Sequence, residues 1–159
     1  MSTRSGIGWD VHRLAAGRRL VLGGVELESD RGLEGHSDAD ALTHAVIDAL
    51  LGAAGLGDIG EHFPDSDERY RDADSLGLLR EAAAMVRAAG YEPVNVDATV
   101  VLERPKLGAA RATMRERLAE AIGLAPDAVN VKATSGEGIG FVGRREGAAV
   151  IAIATLRRA

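Results

Sequence analysis

The run Ala148-Ala149-Val150-Ile151-Ala152-Ile153-Ala154-Thr155-Leu156 constrains the fold more than any other stretch, because it carries no charge. A half-solvated strand alternates apolar and polar side chains. A nearly unbroken apolar run is expected of a strand in the middle of a sheet. The rest of the chain must supply its neighbours and its cover. Residues 5–12 read as one strand. Val94–Glu103, stopped by Pro105, and Val129–Thr134 read as two more. Leu20–Leu27 reads as a hairpin in which Gly23-Gly24 supplies the positive φ of a two-residue turn. Residues 28–37 read as a polar loop. Ser37 or Asp38 is expected to cap a helix running to about Ala54, with Leu42, Ala45, Val46, Ala49 and Leu50 on its buried face. A second helix starts from a cap at Asp74 or Ser75 and ends at Gly90. A third spans Ala109–Ile122, with Gly123 as its stop. The expected architecture is α+β, an α/β sandwich. It has a single domain over residues 1–159, with one mixed β-sheet carrying helices on one face. Three helices are too few to cover both faces, which predicts self-association across the bare one.

Composition narrows the chemistry. With 159 residues the chain is long enough for one real core. There is no cysteine, so a metal site must use histidine and carboxylate. Net charge is −5, which disfavours nucleic acid as a partner and means that any anion must be bound by local features. The N-terminus has no long apolar run after its positive charge, and no stretch is long enough for a membrane span. Nothing argues for export, and a cytoplasmic location is expected.

Asp10 and His12 are two residues apart on the first strand and so share a face, ~6.5 Å apart along it. At that separation a carboxylate and an imidazole can converge on one ion, and His44 on the first helix is the best third ligand. Three ligands of mixed type leave a fourth position open, the arrangement of a catalytic zinc rather than a structural one. His36-Ser37-Asp38 lies where a loop becomes a helix, and free amides there suit a phosphate; an ordinary cap beside a histidine is the plainer reading. Gly55–Asp67 is a long Gly-, Asp- and Pro-rich segment, which suggests a working loop. Its Asp58-Ile59-Gly60 and Asp65-Ser66-Asp67 can accept sugar hydroxyls or be solvated turn residues. Lys132–Gly138 looks like a hydroxyl- and amide-rich anion cradle, without the spacing of a P-loop. Glu137 can ligate a hard cation such as Mg²⁺ beside phosphate oxygens. Arg144 can bind an anion or cap the sheet edge.

These segments occur in an order that closely resembles one family. They are Asp10-Val11-His12, His36-Ser37-Asp38-Ala39-Asp40 followed by His44, Gly57–Gly60 with Phe63–Asp67, Arg104-Pro105-Lys106, and Asn130–Thr134 with Glu137, Gly140-Phe141 and Gly143-Arg144. Together they resemble the 2-C-methyl-D-erythritol 2,4-cyclodiphosphate synthases of the non-mevalonate isoprenoid pathway. The resemblance implies a metal-dependent, CMP-releasing phosphorus–oxygen lyase. Its substrate would be 4-diphosphocytidyl-2-C-methyl-D-erythritol 2-phosphate, handled in a homotrimer with active sites between subunits. It implies Zn²⁺ on Asp10, His12 and His44, and Mg²⁺ or Mn²⁺ on Glu137 with the substrate phosphates. His36 and Ser135 would stabilise the transition state. Substrate contacts would come from Asp10, Val11 and His12, from His36 and Ser37, from Asp58, Ile59 and Gly60, and from Phe63, Pro64, Asp65, Ser66 and Asp67. The cytidine pocket of a neighbouring subunit would be Leu102, Glu103, Arg104, Pro105, Lys106, Leu107 and Gly108 with Ala133 and Thr134, and Ser135, Gly136 and Glu137 would also contact substrate. Phe141 and Arg144 would border the substrate or a central channel that takes isoprenoid diphosphates. Trp9 and Ser135-Gly136 depart from the family's usual Phe and paired threonines. Two other functions fit the same residues: a zinc-dependent phosphoester hydrolase, and a non-enzymatic trimer that binds isoprenoid phosphates.

Overall fold

A computed structural model, describing residues 2–159, has the apolar C-terminal run as the middle strand of five; Met1 lies outside the described residues. The sheet order is β4 (Arg31–Leu33), β1 (Thr3–Ala16), β7 (Gly147–Arg158), β5 (Tyr91–Val101), β6 (Val129–Thr134). All pairs are antiparallel except β5 with β6, so the sheet is mixed as expected. β2 (Leu20–Leu22) and β3 (Val25–Leu27) form the separate hairpin, and Gly23 and Gly24 turn it with φ of 59° and 73°. The long helices are α1 (Ala41–Ala54), α3 (Ser75–Ala88) and α4 (Ala110–Ile122), the last ended by Gly123 in the left-handed region. α1 packs on β1 and β7, α4 on β6, and α3 bridges α1 and α4. α2 (Ile59–His62) and α5 (Gly140–Gly143) are single turns.

α1 sits unusually close to the sheet because the strand beneath it offers no side chains there. A Cβ on Gly8 would lie 1.8 Å from the Ala45 carbonyl oxygen, and one on Gly6 would lie 2.2 Å from that of Ala49. Alternation then puts Gly6, Gly8, Asp10 and His12 on one face of β1, with α1 lying along all four. The opposite face carries Ile7, Trp9 and Val11, which remain 69 %, 55 % and 44 % exposed, beside Ile153 of β7. The helices thus occupy one face only, and the other is apolar and open in a single chain.

Three expectations need correction. Residues 28–37 are not all loop: Arg31–Leu33 pairs with the end of β1, too short an edge strand to show a periodicity. Neither Ser37 nor Asp38 caps α1. Asp40 does, fully buried, accepting from Thr43 N at 3.0 Å and Thr43 Oγ1 at 2.8 Å. It also accepts the Gly23 and Gly24 amides at 2.8 and 2.7 Å, so the cap pins the β2–β3 turn to α1. Burial, aided by the nearby Asp38 charge, pushes the Asp40 carboxyl above its ordinary value, and the Thr43 and Gly24 donors oppose that rise without cancelling it. The third correction lies in Gly55–Asp67, where Asp58 caps α2 through Glu61 N at 2.9 Å.

Candidate metal centre

The end of β1 and the first turn of α1 bring Asp10, His12 and His44 together. One ligand atom from each lies within 4.8 Å of the others. Asp10 Oδ2 is 2.8 Å from His12 Nδ1 and 3.6 Å from His44 Nδ1. Asp10 Oδ2 and His12 Nδ1 are both buried, and neither has a hydrogen-bond partner despite their proximity. Buried polar atoms normally find partners, so atoms that crowd one point without bonding one another fit a shared cation. Burial alone would raise the Asp10 carboxyl; the His12 and His44 imidazoles outweigh it and hold the group below its ordinary value. Burial likewise lowers His44, and the Asp10 carboxylate overcomes that and raises it.

The three side chains open into a cavity of about 510 Å³. Its wall includes the expected Val11, His36, Ser37, Ile59, Gly60, Phe63, Pro64 and Asp65, together with Glu34, Gly35, Tyr70 and Leu78, which the sequence reading did not name. His36 Nε2 is 3.3 Å from the Asp67 carbonyl, so the wall is tied across its mouth. Phe63 is buried edge-on against Tyr70. Asp58, Ser66 and Asp67 do not line the cavity; Asp58 is spent on its cap, and Asp67 is paired with Arg69, which holds its carboxyl low. Asp48, one turn beyond His44 on α1, accepts the Ile59 amide at 2.7 Å and so anchors α2 to the metal helix. Its carboxyl is raised by burial. The i, i+4 spacing from His44 was the available signal.

The amides expected to cradle an anion are already taken. Ala39 N is bound by Ser37 Oγ, Asp40 N by Asp38 Oδ1 and Thr43 N by Asp40, so the start of α1 has its own carboxylates where a phosphate was expected. In the glycine-rich loop, Gly136 N and Gly138 N donate to Glu103 at 2.8 and 3.1 Å, and Glu137 N donates to Ser135 Oγ. Glu103 therefore holds that loop in shape, while its backbone borders the second cavity. That cavity, about 310 Å³, is lined by Leu102, Glu103, Pro105, Lys106, Leu107, Gly108, Arg111, Ala133, Thr134 and Ser135. Arg104 faces a separate hollow beside Arg145. Glu137 joins no metal-ligating group among the described residues. Phe141 borders a small cleft with Val11 and His12, and Arg144 is paired with Glu146 at 2.9 Å. Across the sheet, Val11, Ala149, Val101 and Thr134 stand in one row, so the cavity at Asp10 and the one at Lys106 are separated by three strand spacings, about 14 Å.

Fold and site define a class: an α+β domain, helices on one sheet face, bearing a histidine–carboxylate set that could hold a metal ion beside an open cavity. The chain belongs to the YgbB family, whose model matches residues 3–157. It is 60 % identical over 98 % of its length to the 2-C-methyl-D-erythritol 2,4-cyclodiphosphate synthase of Salinibacter ruber, 99 % of which is covered. It is also 60 % identical to the bifunctional enzyme IspD/IspF of an Anaeromyxobacter species, but covers 39 % of that longer protein. Among solved structures, the bifunctional IspDF of Campylobacter jejuni superposes with a TM-score of 0.95 at 42 % identity, over 99 % of this chain and 43 % of that one. A 2C-methyl-D-erythritol-2,4-cyclodiphosphate synthase in its CDP-bound form superposes with a TM-score of 0.89 at 39 % identity, covering 97 % of this chain and all of the other.

Proposed function

We propose that the chain converts 4-diphosphocytidyl-2-C-methyl-D-erythritol 2-phosphate to 2-C-methyl-D-erythritol 2,4-cyclodiphosphate, releasing CMP. The observation that carries this is the Asp10–His12–His44 cluster opening into the 510 Å³ cavity, in a chain so close to proteins named for that synthase. An oxygen of the 2-phosphate bonds to the β-phosphorus, and the bond from that phosphorus to the oxygen leaving with CMP breaks. The nucleophile is already an anion and no water is consumed, so the protein has little proton chemistry to do. Its work is to hold two anions in line. Two unit charges 4 Å apart repel by about 4 kcal/mol at an effective dielectric of 20. A divalent ion bound by Asp10, His12 and His44 supplies compensating charge to the diphosphate. We assign that ion as zinc from the ligand types.

His36 and the Ser135 hydroxyl are placed by this reading on the phosphoryl group in transit. Ser37, Gly60, Phe63, Pro64 and Asp65 hold the methylerythritol end, and Lys106, Leu107, Ala133 and Thr134 hold the cytidine. Glu137 has no protein partner ligand, so a second ion, Mg²⁺ or Mn²⁺, would rest on phosphate oxygens beside it. The 14 Å between the cavities argues that one chain's metal half works with another chain's nucleotide half. The apolar row of Ile7, Trp9, Val11 and Ile153 gives such chains a surface to meet on. The family resemblance supplies the number, three. Among the described residues no helix is long and apolar enough to cross a membrane.

The test is incubation with the diphosphocytidyl substrate, with and without chelator, following CMP by chromatography and the cyclic product by phosphorus NMR. Cyclic diphosphate with CMP, lost on chelation, is the expected result. A linear phosphate carrying solvent oxygen would instead mark a hydrolase, and binding without CMP release would mark a carrier.

A further inference from the structure

Ser75 opens α3, is completely buried, and stands 31 residues from His44 in sequence. Its Oγ lies 2.8 Å from His44 Nε2. The same hydroxyl donates to Asp38 Oδ1, and the Ser75 amide donates to Asp38 Oδ2 at 2.9 Å. An ionised carboxylate only accepts, so the hydroxyl hydrogen is committed to Asp38 and the oxygen presents its lone pairs to His44. An acceptor there calls for the imidazole hydrogen on Nε2, which leaves Nδ1 bare in the neutral ring. Nδ1 is the nitrogen that faces Asp10. Resting on the metal reading above, we infer that Asp38 and Ser75 form a hydrogen-bond relay that fixes the His44 tautomer and aims Nδ1 at the ion. They are positioning residues for the metal centre rather than cavity contacts.

Ser37 Oγ, 3.2 Å from the same nitrogen, is the weaker alternative acceptor. It leaves Ser75→Ala with partial function rather than none. Two measurements test the relay. Apoprotein and its Ser75→Ala variant, both checked by thermal unfolding, are titrated with zinc against a chromophoric chelator. The variant is expected to bind zinc about 10- to 100-fold more weakly, the usual cost of losing an outer-shell partner. In the zinc-loaded wild type labelled at histidine nitrogen, His44 is expected to show a slowly exchanging hydrogen on Nε2. That observation does not depend on any variant folding. Equal zinc affinity in folded Ser75→Ala, or a His44 Nε2 without a protected hydrogen, overturns the relay alone. A wild type that binds no zinc overturns the metal reading and the relay with it.

Discussion

Gly8→Ala is the sharpest perturbation available, because it tests whether the seating of α1 on β1 makes the metal centre. The new Cβ would lie 1.8 Å from the Ala45 carbonyl oxygen and 2.9 Å from the Ala49 amide nitrogen, where ordinary contact begins at 3.4 Å. Both obstacles are backbone, so no side chain can swing aside, and α1 must lift by roughly 1.6 Å, the difference between the two distances. Overpacking of this kind costs about 1–3 kcal/mol, and a rigid backbone contact belongs at the upper end. At about 2–4 °C per kcal/mol for a chain of this length, the melting temperature should fall by about 6–12 °C. His44 immediately precedes Ala45 and travels with it. Metal–ligand distances tolerate about 0.2 Å, so zinc affinity should drop at least about tenfold. Calorimetry and zinc titration on the same preparation read both effects. Gly52→Ala, on the same helix with its nearest neighbour 3.9 Å away, is the control and should stabilise by about 0.5–1 kcal/mol. A Gly8→Ala protein with unchanged melting temperature and zinc affinity would refute the argument.

Asp40→Ala removes one acceptor from three amides and a hydroxyl, most of them buried, and is expected to cost about 3–5 kcal/mol in urea unfolding. Asp48→Ala frees the Ile59 amide and should raise KM with little change in zinc affinity, whereas Asp48→Asn, which keeps an acceptor, should stay close to wild type in steady-state kinetics. On the bare face, burial raises the Asp97 carboxyl but Lys132 and Asn130 outweigh it and hold it below 3.8. With the folded value depressed, its contribution is complete above 3.8 and lost as pH falls through the lower folded value; Lys132→Ala should reduce that acid-side loss and leave the part that Asn130 supports, a difference under about 0.5 kcal/mol for so exposed a pair, read by acid titration of unfolding. If active sites join two chains, mixing equal amounts of inactive His12→Ala and inactive Lys106→Glu subunits, unfolded and refolded together, should restore about a quarter of wild-type CMP release, since one adjacent pair in four combines two intact halves. No recovery would argue that both halves belong to one chain.

Much of this was legible in the residues themselves. Period-two spacing put Asp10 and His12 on one face, the apolar run 148–156 marked the central strand, and Gly23-Gly24 and Gly123 marked their turns. Contacts between distant segments were less legible. Three neighbouring candidates, Ser37, Asp38 and Asp40, can all cap a helix; Asp40 caps because the Gly23 and Gly24 amides, seventeen and sixteen residues upstream, also bind it. Ser75 read as a cap and proved to be a partner of His44, which no local pattern encodes. The amides of residues 136–138 looked free for an anion because nothing local shows that Glu103, more than thirty residues earlier, binds two of them. Gly6 and Gly8 did carry a signal, since paired glycines inside a strand mark a close backbone approach.

The same organisation explains how an acidic chain can manage a polyanion. Each element that builds the metal half is clamped by a backbone or buried contact: α1 by Gly6 and Gly8, its first turn by Asp40 and the β2–β3 hairpin, its distal side by Asp48 and Ile59. His44 is clamped in turn by Ser75 and Asp38. Carboxylates do most of this clamping, and each has its charge met by amides, a hydroxyl or an imidazole. Among the buried carboxylate oxygens of the described residues, only Asp10 Oδ2 lacks a hydrogen-bond partner, beside an equally unsatisfied His12 nitrogen. The buried carboxylates around the metal half are thus engaged in holding its shape, and the buried one that is not so engaged lies where a cation can sit. A cation held there would supply the charge that attracts a diphosphate, so affinity for the anion should follow metal occupancy and not net charge.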